Sequence, residues 1–207
     1  MELESKEIGL LIDCSDKLMS IGVVVDSVLK NKRQVEAWQR QSELLIPAID
    51  EVFFELGLKT KSISYVVVSK GPGSYTGVRI ALSVAKTICF ALKAPLYLVS
   101  SLWALRNGNK KSLCLMNARS KRSYVGVYEG NECLLQDCVM TNDEVLSYVK
   151  EHQELSVCGD VAYLGVEGIS PDIPLNLVDG KDSSFLVADT LAAKPVYLKD
   201  NYEIPHL

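Results

Sequence analysis

The chain has 207 residues, 48% of them hydrophobic, which is enough for one large or two small domains with a core of their own. Its formal net charge is −4, which argues against binding DNA or RNA through overall charge. The two histidines, His152 and His206, form no His-x-x-x-His or His-Glu-x-x-His pair, and the cysteines (Cys14, Cys89, Cys114, Cys133, Cys138, Cys158) form no Cys-x-x-Cys pair, so the metal-hydrolase classes lack their ligands.

The start, Met1-Glu-Leu-Glu-Ser-Lys-Glu7, is charged and acidic where a signal peptide would be basic and then apolar. No apolar run reaches the roughly 18 residues that a membrane helix needs. The expectation is a cytoplasmic protein without membrane contact, its thiols reduced and mostly buried. Ile8 to Asp13 and Met19 to Asp26, separated by the turn-like Cys14-Ser-Asp-Lys17, read as a hairpin, and Leu29 to Ala37 as a more polar third strand. Ser42 is placed to cap a helix running to Leu56, with Gly57 just past its end. Ile63 to Ser69 is a strand, Val78 to Leu92 a helix and Leu96 to Val99 a short strand; Ser100 or Ser101 can then cap a helix through Arg106.

Asn107 to Lys111 reads as a linker, which divides the chain into residues 1–108, carrying the two long helices, and 109–207, whose C-terminal helix can pack back on the first lobe. Beyond it, Ser112 to Ala118, Ser123 to Tyr128 and Glu132 to Val139 are strands, followed by a helix from Asn142 to His152 and a strand from Leu155 to Cys158. Residues 159–184 are rich in Gly, Pro and Asp and read as loop with one short strand near Leu175; a last helix is expected over residues 183–193, with an extended tail from Pro195. Strands first, then alternating helix and strand, is an α/β pattern with mixed sheets. Its partial recurrence suggests a duplicated, two-lobed, actin-like or sugar-kinase-like fold with a degenerate second lobe.

The segment Ser69-Lys-Gly-Pro-Gly-Ser-Tyr-Thr-Gly-Val-Arg79 joins a strand to a long apolar helix. Gly71, Gly73 and Gly77 permit close backbone approach, and Ser74 or Thr76 can cap the helix, leaving amides that suit an anion. It is neither a Walker A loop nor a dinucleotide fingerprint. The bland alternative is a turn that only packs the helix tightly on its strand. Asp13, closing the first strand, stands where actin-like ATPases keep a magnesium-associated acid, and Asp160 is its counterpart in the second block; each is equally a turn or cap residue. Ser74 lies one residue off a Gly-x-Ser-x-Gly elbow, and neither histidine is an evident base for it.

Both long helices of the first block carry more apolar residues than one core stripe uses. Leu45, Ala48, Ile49, Val52 and Leu56 form a stripe on the first, leaving Leu44, Ile46, Phe53 and Phe54 to be buried elsewhere; the second has Ile80, Ala81, Val84, Ala85, Ile88, Cys89 and Leu92 on a broad face. The surplus predicts a partner interface involving Ser42, Glu43, Leu44, Leu45, Ala48, Phe53, Ile80, Ala81, Val84, Ala85 and Ile88.

The stretches Gln41-Ser-Glu-Leu-Leu-Ile-Pro47, Gly71-Pro-Gly-Ser-Tyr-Thr-Gly-Val-Arg-Ile80, Ser100-Ser-Leu-Trp-Ala-Leu105 and Asn117-Ala-Arg119, with the tail Pro195-Val-Tyr-Leu-Lys199, resemble the TsaB (YeaZ) family. The resemblance implies an actin-like (ASKHA, ribonuclease H-like) fold and a noncatalytic subunit. Its implied partner is TsaD, which transfers a threonylcarbamoyl group to the adenosine beside the anticodon in tRNAs reading ANN codons, with TsaE and, transiently, TsaC. It also implies a homodimer through the same helices when isolated, only indirect contact with tRNA, no intrinsic cofactor or metal, and ATP or ADP only within the complex. The family's His-Ser-Glu, Asp-Thr-Ser and Asp-Ala-Arg appear here as Gln41-Ser-Glu43, Asp13-Cys-Ser15 and Asn117-Ala-Arg119, which weakens a nucleotide site but not an interface. The competing reading is an actin-like ATPase or phosphotransferase using Asp13 and the Gly71 to Gly77 turn; a peptidase is disfavoured by the missing metal ligands.

Overall fold

The computed structural model describes residues 6–198. The leader up to Ser5, the tail from Lys199 and His206 lie outside the described residues.

Among the described residues, β1 (Ile8–Asp13), β2 (Leu18–Val25) and β3 (Val28–Glu36) form an antiparallel meander, and β4 (Tyr65–Ser69) and β5 (Leu96–Val99) add to β1 in parallel, giving the order β3-β2-β1-β4-β5. Every residue of β1 and β4 is buried, as near-continuous apolar strands covered on both faces must be, whereas the edge strand β3 alternates exposed and half-buried residues with Lys30, Lys32 and Arg33 along it. Between β3 and β4 lies α1 (Gln41–Glu55), and between β4 and β5 lies α2 (Tyr75–Leu92); both pack on the face that carries Leu10, Ile12, Ile21, Val66 and Val68. This meander-then-parallel order is the ribonuclease H-like sheet of actin-like folds, as the sequence pattern suggested.

The opposite face is closed by the far end of the chain. The α4 helix (Ile173–Leu177) lies on β1, β2 and β3, with Pro174 over Gly22, and Gly180 sits against Val67 and Val99. The sequence reading placed a strand near Leu175. A run such as Ile-Pro-Leu-Asn-Leu is too short for periodicity to separate strand from buried helix. Here Asp172 decides, its carboxylate accepting from the Leu175 amide at 3.2 Å while Pro174 occupies the first turn.

The helix expected over residues 183–193 is likewise absent from the described structure. Ser183–Phe185 forms one 3₁₀ turn, Leu186 bridges antiparallel to Tyr97, and the Val187 amide donates to the Leu96 carbonyl at 2.9 Å. Asp182 and Asp189 bind the amides of Ser184 and Leu191, holding turns where a helix would need those donors. Lys86 of α2 then ties the strap down through the carbonyls of Leu191 (2.6 Å) and Ala193 (3.0 Å).

Helix ends differ in detail from expectation. Ser42 does not cap α1: Arg40 stands at the N-cap, its carbonyl accepting from Glu43 and Leu44, and Ser42 lies exposed in the first turn. At the other end the Gly57 amide donates to Phe54 O and the Leu58 amide to Phe53 O, a Schellman closure that uses the positive φ (65°) of Gly57. The segment after Ser100 is a single 3₁₀ turn, Trp103–Leu105, rather than an α-helix, with Ser100 Oγ accepting from the Leu102 and Trp103 amides. By length and mean hydropathy α2 could cross a membrane, although Arg79 and Lys86 interrupt its apolar run; in the structure its inner side is seated on β4.

The second unit is built on a four-stranded sheet of order β8-β7-β6-β9, from β6 (Ser112–Arg119), β7 (Arg122–Glu129), β8 (Glu132–Thr141) and β9 (Ser156–Cys158), with β6 and β9 parallel. It repeats the first four positions of the other sheet and stops. The α3 helix (Asn142–Glu151), opened by a capping box between Thr141 and Glu144, covers a core of Leu113, Leu115, Val125, Val127 and Val145. On the same sheet Asp137 accepts from Ser100 Oγ at 2.5 Å and from the Tyr128 hydroxyl, over Gly126, which has no side chain to block it. Arg106, fully buried, stacks its guanidinium 3.6 Å from the Trp103 ring.

Among the described residues, 6–70, Ser74–Val99 and Asp172–Pro195 form the first unit, and Gly71–Gly73, Ser100–Pro171 and 196–198 the second. Residues 172–195 thus belong with the first unit and residues 100–108 with the second. All six cysteines are free; Cys133 is exposed and Cys138 half-buried, the other four buried.

Candidate functional site

The strand-turn-helix motif is divided between the units, and its first-unit part is tightly knit. Ser74 caps α2, its hydroxyl accepting from the Gly77 amide at 3.2 Å, and its own amide donates to Ser15 O at 2.7 Å. Gly77 has no Cβ because a Cβ there would lie 2.0 Å from the Cys14 carbonyl oxygen. The β1–β2 turn is therefore the seat of α2, and the amides of Ser74 and Gly77 are spent on the chain's own oxygens. Thr76 and Arg79 are exposed, with Arg79 donating to the Tyr75 hydroxyl and lying 5.0 Å from that ring's centre. In the second unit, Gly71 adopts φ 100°, faces the Val196 carbonyl and accepts from the Ser101 amide at 3.0 Å; the Gly71–Pro72 bond is cis. Gly73 is half-buried.

Asp13 is buried at the end of β1 and accepts from the Ser15 amide at 3.3 Å. Burial pushes its carboxyl pKa up, opposed in part by the Ser15 amide and the nearby hydroxyls of Ser69 and Ser15. Burial likewise pushes the neighbouring Cys14 thiol far up, with the Asp13 charge adding to it, so this thiol is inert. Among the described residues no group of His, Cys, Asp and Glu side chains is arranged to hold a metal ion.

The faces of α1 and α2 divide the expected interface residues in two. Leu45, Ala48, Phe53, Ala81 and Ala85 are buried in the first unit's own core, so their side chains are not surface. Ser42 and Glu43 are exposed, and Leu44, Ile80, Val84 and Ile88 are half-buried along the margin. The apolar side chains that do stand out are Ile46 and Phe54 on α1 and Tyr75 and Phe90 on α2, with Phe54 83% and Phe90 66% exposed. Phe90 was missed from sequence, yet the wheel contained it: a core stripe of Val78, Ala81, Leu82, Ala85 and Cys89 leaves position 90 facing outward.

A family model described as TsaD, tRNA N6-adenosine threonylcarbamoyltransferase, matches residues 34–195. The protein named tRNA threonylcarbamoyladenosine biosynthesis protein TsaB from Bacillus subtilis is 30% identical over 142 residues, 67% of this chain and 62% of that protein. A protein of the same name from Buchnera aphidicola subsp. Schizaphis graminum is 30% identical over 135 residues, 62% of this chain and 64% of its own length. The chain belongs to the TsaB/YeaZ family. YeaZ from Pseudomonas aeruginosa has the same fold, with a TM-score of 0.75 at 20% identity over 93% of this chain and all of that one. The matched stretch spans somewhat under two thirds of the two TsaB proteins.

Of the departures from the family pattern, Gln41 is buried in the first turn of α1, Cys14 is buried beneath Gly77, and Asn117 is exposed with its side-chain oxygen accepting from the Arg119 amide at 2.8 Å.

Proposed function

We propose that this chain is a noncatalytic subunit that pairs with a TsaD-type threonylcarbamoyltransferase in forming threonylcarbamoyladenosine beside the anticodon of tRNAs reading ANN codons. The observation that carries the reading is that α1 and α2 leave apolar side chains exposed, Phe54 and Phe90 foremost, in a member of the TsaB/YeaZ family. Aromatic side chains that remain exposed on a folded unit are what an interface core uses. TsaE and TsaC belong to the same proposal as further partners, a homodimer is the alternative occupant of the same faces, nucleotide binds only in the assembled complex, and the compartment is the cytoplasm.

The test is co-purification and size-exclusion light scattering with TsaD. Phe54→Asp and Phe90→Asp, both at exposed positions, are expected to weaken the heterodimer by about 30-fold or more each while leaving the melting temperature of the isolated chain unchanged. Undiminished association of the double variant overturns the interface, and Mg-ATP turnover by the isolated chain overturns the noncatalytic role.

A further inference from the structure

An acidic average conceals one basic point. Arg119, Lys121 and Arg122 fall within four residues of a chain whose net charge is −4. They occupy the tip of the β6–β7 hairpin, where Arg119 pairs with Arg122 across the two-residue turn Ser120-Lys121. Arg119, Ser120 and Lys121 have φ of 62°, 52° and 58°, in the left-handed region that glycine or asparagine fills at least cost. The next hairpin of the same sheet, β7–β8, uses Gly130 (φ 56°) and is flanked by Glu129 and Glu132. The tip therefore keeps two long charged side chains, Arg119 and Lys121, at positions whose backbone disfavours them, where the β2–β3 turn places the short Asp26 (φ 50°) and Ser27 (φ 64°).

The tip is also pinned. Asn117 Oδ1 accepts from the Arg119 amide at 2.8 Å, and the Lys121 carbonyl accepts from the Asn142 amide at 2.9 Å. Arg119 and Lys121 are exposed and Arg122 is half-buried. The acids nearest in sequence to Asn142 are Asp143 and Glu144. The Glu144 carboxylate is folded back onto the Thr141 amide (2.7 Å) and hydroxyl (2.8 Å). Guanidinium forks and an ammonium on a fixed turn match phosphate oxygens in geometry and charge.

We propose that the hairpin Arg119–Arg122 contacts the ribose-phosphate backbone of RNA. The proposal rests on the reading above, in which the chain works in a tRNA-modifying complex. It assigns this chain a direct share of the RNA contact, where overall charge and family resemblance suggested none.

The test is fluorescence-anisotropy titration of a labelled tRNA transcript against the heterodimer with TsaD over a series of salt concentrations, comparing wild type with R119Q/K121Q/R122Q and with the charge-preserving R119K/K121R/R122K. The Gln variant is expected to lose about tenfold or more in affinity near 0.1 M salt, and its log–log salt slope to become shallower by about one for each phosphate that is no longer neutralised; the charge-preserving variant keeps the wild-type slope. Equal affinity and slope for wild type and Gln variant overturn the proposal. So does loss of ATP binding with tRNA binding unchanged, which would assign the tip to a free nucleotide. If wild type fails to pair with TsaD, the functional reading falls separately. The same titration on the isolated chain at low salt then decides the hairpin, equal affinities overturning it.

Discussion

Asp13 sits fully buried at the end of β1, and its burial disfavours the charged form by more than the Ser15 amide and the nearby Ser69 and Ser15 hydroxyls restore. Its folded pKa therefore lies above the unfolded value of 3.8. For a carboxyl shifted in this direction, the contribution to stability is fully present below the unfolded pKa and is lost as pH rises through the folded one. Asp13→Asn removes the ionisation and keeps the shape. It is expected to raise the midpoint of urea denaturation at pH 7, with the gain vanishing as pH falls towards 4. A gain that persists at pH 4, or a loss at pH 7, would show that the charge itself holds the β1–β2 turn. Asp13 was visible in the sequence as a strand-closing acid. Its burial was not, because burial here depends on the turn folding back over α2, a contact between residues some 60 positions apart.

At the scale of elements, α2 is held at its start by backbone rather than by side chains: Ser15 O takes the Ser74 amide, and Cys14 O occupies the space beside Gly77. Gly77→Ala would force either the helix or the turn to move, because the obstructing atom is a carbonyl oxygen and not a flexible side chain. The expected cost is about 1–3 kcal/mol, the usual range for overpacking, measured as a fall in the denaturation midpoint. Partner affinity should fall with it if α2 is displaced. A fully stable Gly77→Ala protein would mean that the seat is looser than its geometry.

The same scale shows where sequence reading succeeds. Most of the strands β1 to β9 announced themselves through apolar runs bounded by turns, the polar edge strand β3 through its place after the first hairpin, and α1 to α3 through length and period. Residues 172–193 were misread, since their apolar side chains are placed by contacts with β1, β2 and β5, far away in the chain, and not by a local period. Which apolar residues of α1 and α2 stay outside the core was half legible for a related reason. Periodicity separates the two faces of a helix, but with surplus apolar residues it does not say which face the sheet takes; Leu45 and Phe53 went to the core and Phe54 to the surface.

For the whole molecule, the two sheets repeat a single strand order, and both were foreseen as successive blocks; a C-terminal helix packing back on the first lobe was expected, and residues 172–195 do return to the first unit, as α4 and a strap of turns. That return has a measurable role. Deleting the chain from Asp172 onward would strip α4 and Gly180 from the face formed by Leu11, Gly22, Val67 and Val99. The truncated protein is expected to bind the dye ANS strongly and to lose cooperative unfolding, because an open apolar sheet face has no replacement cover. A truncation that stays soluble and melts cooperatively would show the return to be dispensable.

The strap and α4 also set an order of events at the ribosome. When Val99 has been made, the first sheet has all five strands but one bare face, and the residues that cover it begin at Asp172. At synthesis rates of about 5–20 residues per second, that face waits roughly 4–15 seconds while the second unit is translated. The second unit can therefore complete its own sheet before the first is closed, and the newborn chain passes through a stage in which its earliest-made half is its least finished.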